Sequence, residues 1–198
     1  QICREYGLPV TAQAVPLFGQ SGDDRYTGVD KMILKGADVL PHGLINSVES
    51  KLGRKGELLK QYIAWVAQRI RNFRGASGRE SYAPVLHFDL YGTPGLIFSH
   101  DLERTADYLA GLQVDAGEFS LYIEGPVDMG SKARQIEAMG CLKELLRHKG
   151  SPVKIVADEW CNTKEDILEF ASSGSCHMVQ IKTPDLGSLH NTVDSIRI

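Results

Sequence analysis

The sequence predicts a parallel α/β fold, from short apolar runs that alternate with amphipathic stretches, as successive strand-helix units do. Two further observations point the same way. The longest uninterrupted apolar run is of the order of Ile63–Ala67, far short of the ~20 residues of a spanning helix, so neither a bilayer span nor a membrane partner is expected. A hydrophobic content of 42% with a net charge of -3 suits a folded core and offers no basic footprint for nucleic acid.

Six strands are predicted in order: Ala14 to Gln20, Ala37 to Pro41, Pro84 to Asp89, Ser120 to Glu124, Val153 to Asp158 and Met178 to Lys182. The connection from Ser47 to Ser81 reads as two helical pieces, the clearer from Glu57 to Phe73, followed by a loop at Gly75 to Gly78. A helix is predicted over Ser131 to His148, where Ile136, Met139, Leu142 and Leu146 recur at helical spacing and Gly150 follows as a stop. Another runs from about Thr163 to Ala171, with Thr163 and Asp166 spaced as a cap. Four separated cysteines, Cys3, Cys141, Cys161 and Cys176, suit reduced thiols and a cytoplasmic protein rather than zinc or a disulfide framework.

Length leaves open a doubly wound sheet or most of an eight-stranded barrel of about 250 residues. The strand ends separate them, because a barrel draws its chemistry from the carboxyl ends of several strands. Asp89, Glu124, Asp158 and Lys182 each end a predicted strand. Their separations of 35, 34 and 24 residues are about one unit each. Alternation puts His87 on the face of Asp89, Tyr122 on that of Glu124 and Gln180 on that of Lys182, and turns Glu159 away from Asp158.

Taken singly, an aspartate at such a point serves equally as an N-cap, and a lysine as a snorkelling surface residue. Three carboxylates with no basic partner repel one another, so together they call for a cation, and an all-oxygen set favours magnesium, or manganese, over zinc. A lysine beside that cation and shielded from water is expected to have a lowered pKa and to serve as a base.

Six segments resemble the methylaspartate ammonia-lyase family of the enolase superfamily. They are Gly19 to Asp24, Asp38 to His42, His87 to Asp89, Ile123 to Pro126, Ala157 to Thr163 and Gln180 to Asp185. The resemblance implies a (β/α)8 TIM-type barrel, here incomplete at about six of eight units, with residues 1–198 forming part of a C-terminal catalytic domain. A preceding capping domain and the last barrel strands are expected to lie outside this stretch, and the chain alone is expected to be unstable and inactive. The implied activity is elimination of ammonia from 3-methylaspartate to give mesaconate, a step of amino-acid degradation. The implied site has magnesium on Asp89, Glu124 and Asp158, Lys182 as base, His42 on the other side of the substrate, and Gln20 and Gln180 hydrogen-bonding it. No organic cofactor is expected, and the full-length protein is expected to be a homodimer. Other racemases, epimerases or cycloisomerases of the superfamily commonly carry a Lys-x-Lys pair where this chain has Leu40-Pro41-His42. A non-catalytic fragment is the remaining alternative.

Overall fold

A computed structural model describes residues 2–7, 15–22 and 24–198. The elements run α1 (Ile2–Glu5), α2 (Arg25–Lys35), β1 (Val39–Leu44), a π-helical turn (Val48–Leu52), α3 (Glu57–Ser77), β2 (Val85–Asp89), α4 (Thr93–Ile97), α5 (Leu102–Ala116) and β3 (Leu121–Glu124). They continue with α6 (Lys132–His148), β4 (Lys154–Ala157), α7 (Lys164–Ser173), β5 (Met178–Val179), α8 (Thr183–Leu186) and α9 (Leu189–Ile196). The strands form one parallel sheet in sequence order.

Alternation divides the sheet into two chemically different faces. Leu86, Phe88, Leu121, Ile123 and Ile155 are fully or almost fully buried and pack with the apolar stripes of α3, α5 and α6, each such side chain stabilising by about 1.5–3 kcal/mol. α2 packs on α3, α3 on α5, α5 on α6 and α6 on α7, a continuous outer layer. The register sets Asp89 opposite Glu124, and Glu124 opposite Val156. His87, Asp89, Tyr122, Glu124 and Asp158 therefore share the other face.

That face is concave. In a flat sheet at about 4.8 Å spacing, β1 and β5 would stand about 19 Å apart, further than two side chains reach. Yet Gln180 Nε2, one residue past β5, lies 3.4 Å from His42 Nε2 on β1. The wall must curl, as a barrel does and an open doubly wound sheet does not.

The capping at Thr163 forms in full, with Thr163 Oγ1 accepting from the Asp166 amide at 3.1 Å and the Asp166 carboxylate accepting from the Thr163 amide at 3.0 Å. The two helical pieces between Ser47 and Ser81 are present, but α3 continues to Ser77 through most of the predicted loop and stops at Gly78, whose φ is 67°. The first predicted strand needs correction. Ala14 lies outside the described residues, and the run 15–20 contributes one isolated bridge, Phe18 to Val39. Pro16 has no amide to donate, and Leu17 and Phe18 remain exposed at 60% and 61%. The sixth predicted strand shortens to Met178–Val179, although the Gln180 amide still donates to the Ala157 carbonyl at 2.8 Å.

Candidate metal and proton-transfer site

The carboxyl ends of β2, β3 and β4 bring Asp89, Glu124 and Asp158 together, with one oxygen of each lying within 4.8 Å of the others. Asp89 and Glu124 are 3% and 1% exposed. Burial raises the Asp89 pKa to about 7, and the negative charges of Glu124, Glu159 and Asp158 add to it, against one hydrogen bond from the Tyr91 amide. Burial likewise raises Asp158, and its hydrogen bond with Lys182 only partly offsets that.

Glu124 is treated differently. Its Oε2 accepts from His87 Nε2 at 2.8 Å, His42 Nε2 at 3.0 Å and Gln180 Nε2 at 3.0 Å. A carboxylate only accepts, so both rings carry hydrogen on Nε2. Burial alone would raise the Glu124 pKa, but the two histidine hydrogen bonds prevail and hold it below the usual carboxylate range. The same hydrogen bond raises His42 more than burial lowers it.

His42 reaches this position through a bulge. Pro41 pairs with His87 and Gly43 with Phe88, leaving His42 as the extra residue with φ of 38°. Strict alternation would send His42 to the helix side with the fully buried Leu40; the bulge re-aims it into the concave face.

Lys182 Nζ sits 2.5 Å from Asp158 Oδ1 and 2.6 Å from Oδ2. The expected lowering of its pKa is not found. Burial does act downward, but the Asp158 hydrogen bond and the surrounding carboxylate charges outweigh it and hold Lys182 above the ordinary lysine value. The carboxylates are not partnerless either, since two histidines, a glutamine and a lysine contact them. Gln20 is exposed and makes no side-chain hydrogen bond among the described residues. It follows Phe18, whose ring lies 6.2 Å from that of His87, and the Gly19 and Ser21 amides still bond β1 at 2.8 and 3.0 Å.

Two further side chains lie at the site. Strand alternation puts His87 on this face, but its hydrogen bond to Glu124 appears only in the folded chain. Glu159, expected to point away, turns toward Gly125, where an added Cβ would fall 2.6 Å from both of its carboxylate oxygens. β4 ends at Ala157 and Trp160 has φ of 65°, so alternation no longer governs Glu159. Burial first, then the charges of Asp158, Glu124 and Asp128, raise its pKa to about 7.

These residues fit a hard divalent cation. Glu124 Oε1 is buried and has no partner, an acceptor that native interiors rarely leave bare. The facing oxygens of Asp89 and Asp158 complete an anionic donor set suited to magnesium or manganese. A pH dependence follows for the metal-free protein. Asp89 titrates near 7 when folded and near 4 when unfolded. Between these values the folded state holds a proton that the unfolded state has released, so stability falls as pH rises from about 4 through about 7. Denaturant titrations in chelator should show a smaller fall for Asp89→Asn than for the wild type. Equal falls would contradict the assignment.

The fold and rim define the class first: a curled parallel wall with acid-bearing strand ends is part of a β/α barrel of the enzyme type, whose chemistry sits at the carboxyl ends of its strands. A solved muconate lactonizing enzyme from Pseudomonas fluorescens shares that fold at 15% identity, with a TM-score of 0.60 over 93% of this chain and 42% of its own. Residues 9–198 match the family model "Methylaspartate ammonia-lyase C-terminus", and the chain belongs to that family. The methylaspartate ammonia-lyase of Citrobacter amalonaticus is 57% identical over 195 residues, covering 98% of this chain and 46% of the relative. Its crystal structure containing (2S,3S)-3-methylaspartic acid superposes with a TM-score of 0.92, over 98% of this chain and 47% of that one. A magnesium complex of β-methylaspartase from Clostridium tetanomorphum is 51% identical with a TM-score of 0.91, over 98% of this chain and 46% of that one. The chain spans about half the length of these relatives.

Proposed function

We propose that the protein to which this chain belongs eliminates ammonia from 3-methylaspartate to give mesaconate. Family membership over residues 9–198 supports the substrate and reaction, and the observation that carries the metal-assisted chemistry is the bare, buried Oε1 of Glu124 beside Asp89 and Asp158, with Lys182 on the same rim. Asp89, Glu124 and Asp158 would hold magnesium, with manganese as the alternative. When bound, the ion supplies Lewis-acid stabilisation of the negative charge that gathers on the substrate carboxylate as the neighbouring carbon loses its proton. Lys182 Nζ takes that proton, and the electron pair left behind expels the substrate's ammonium group from the adjacent carbon as neutral ammonia. A Lys or His base beside magnesium is general to the enolase superfamily rather than inferred from these residues.

His42 enters from β1 and Lys182 from beyond β5, opposite flanks of the cluster. That supports one base on each side of the substrate; with Lys182 as the base of the main substrate, as the family resemblance implies, His42 is left for the epimer whose proton faces the other way. Gln180 and Gln20 would orient the substrate by hydrogen bonds. Family resemblance supports a homodimer for the whole protein, and the separated cysteines support a cytoplasmic location.

The test is to supply the full-length protein with 3-methylaspartate and magnesium and follow mesaconate absorbance. Sustained formation is expected; a folded, magnesium-loaded protein that forms none would contradict the reading. In the same assay His42→Ala should slow the opposite epimer by about 10²-fold or more and the main substrate far less. Equal losses on both would remove the division between bases.

A further inference from the structure

The two oxygens of Glu124 meet different surroundings. Oε2 accepts three hydrogen bonds, while Oε1 is buried without one. A carboxylate free to turn about its last bond would exchange the two oxygens. Donors gathered on Oε2 remove that freedom and present Oε1 to the cation.

The three donors are not equivalent. The His42 side chain is 20% exposed on its bulge, and Gln180 is half-buried past the end of β5; both open onto the concave mouth. The His87 side chain is 4% exposed. Its ring is enclosed by those of His42, Phe18 and Tyr122, at centroid distances of 4.8, 6.2 and 6.2 Å. His87 Nδ1 is buried with no partner. A ring nitrogen left in that condition destabilises a fold, and an apolar residue would fill the position without the penalty. Core stability therefore does not account for a histidine here.

We propose that His87 is a positioning residue for the metal ligand Glu124. Its Nε2–H holds Oε2 so that Oε1 faces the cation, and it stays in place while His42 and Gln180 leave Oε2 for the substrate. Outer donors to metal ligands act in this way, fixing orientation without touching the ion. The proposal rests on the metal-assisted reading above.

The experiment measures magnesium affinity by calorimetry on the full-length wild type, Asp89→Asn, His87→Asn and His87→Gln, with metal-free unfolding recorded for each. Glutamine can place its amide nitrogen where Nε2 stood; asparagine falls short of Oε2. His87→Asn should bind magnesium about 10–100-fold more weakly and recover most of its kcat when magnesium is raised, whereas His87→Gln should remain near the wild type. Wild-type affinity in His87→Asn overturns the proposal, as does an equal loss in His87→Gln. Magnesium affinity left unchanged by Asp89→Asn overturns the metal reading itself, a separate failure seen in a separate variant.

Discussion

Lys182→Ala in the full-length protein is expected to lower turnover of 3-methylaspartate by about 10²–10⁴-fold, the range that a positioned base contributes, while magnesium binding is retained. Two influences on Lys182 oppose each other. Burial lowers its pKa, and contact with both oxygens of Asp158 raises it. A lysine whose partner is shared with a divalent cation keeps the first influence and loses much of the second, which favours the neutral amine. Lys182→Arg separates a base from a mere positive charge, because guanidinium does not release its proton. Arginine should fail to restore either mesaconate formation or solvent deuterium exchange at the carbon. Restoration of exchange by arginine would show that Lys182 serves only as a charge.

Glu124→Gln should weaken magnesium binding by more than the about 10–100-fold that losing an outer partner costs, and activity should fall with it. Glu124 contributes the bare buried oxygen and is held ionised by two histidines. The amide keeps the size and loses the charge, and its nitrogen cannot accept from the donors that Oε2 now serves. Asp89→Asn and Asp158→Asn should move affinity in the same direction, the second also releasing Lys182. Calorimetric titration checks all three, and unchanged affinity throughout would refute the three-carboxylate site.

Much of this rim was legible in the sequence, because strand alternation and unit spacing are local rules. Asp89, Glu124, Asp158 and Lys182 could be placed on one edge from them. What remained hidden is non-local or breaks the rule. His42 faces the site through one extra residue at a bulge, which reverses the side that alternation assigns. Glu159 lies past the end of β4, where the chain turns. The hydrogen bonds of His42 and His87 to Glu124 span 82 and 37 residues, so no spacing announces them. The raised lysine pKa is hidden for the same reason, since the Asp158 contact that raises it depends on folded geometry. The family resemblance, not residue chemistry, brought His42 and Gln20 forward.

The central claim is that three carboxylates hold a divalent cation beside which Lys182 removes a proton. A crystal structure of the full-length protein with manganese and 3-methylaspartate, read by anomalous scattering, tests it most directly. The expected result is one anomalous peak between Asp89, Glu124 and Asp158, with Lys182 Nζ turned from Asp158 toward the carbon that loses its proton. A peak elsewhere, or Lys182 left on Asp158 and out of reach of the substrate, would contradict it.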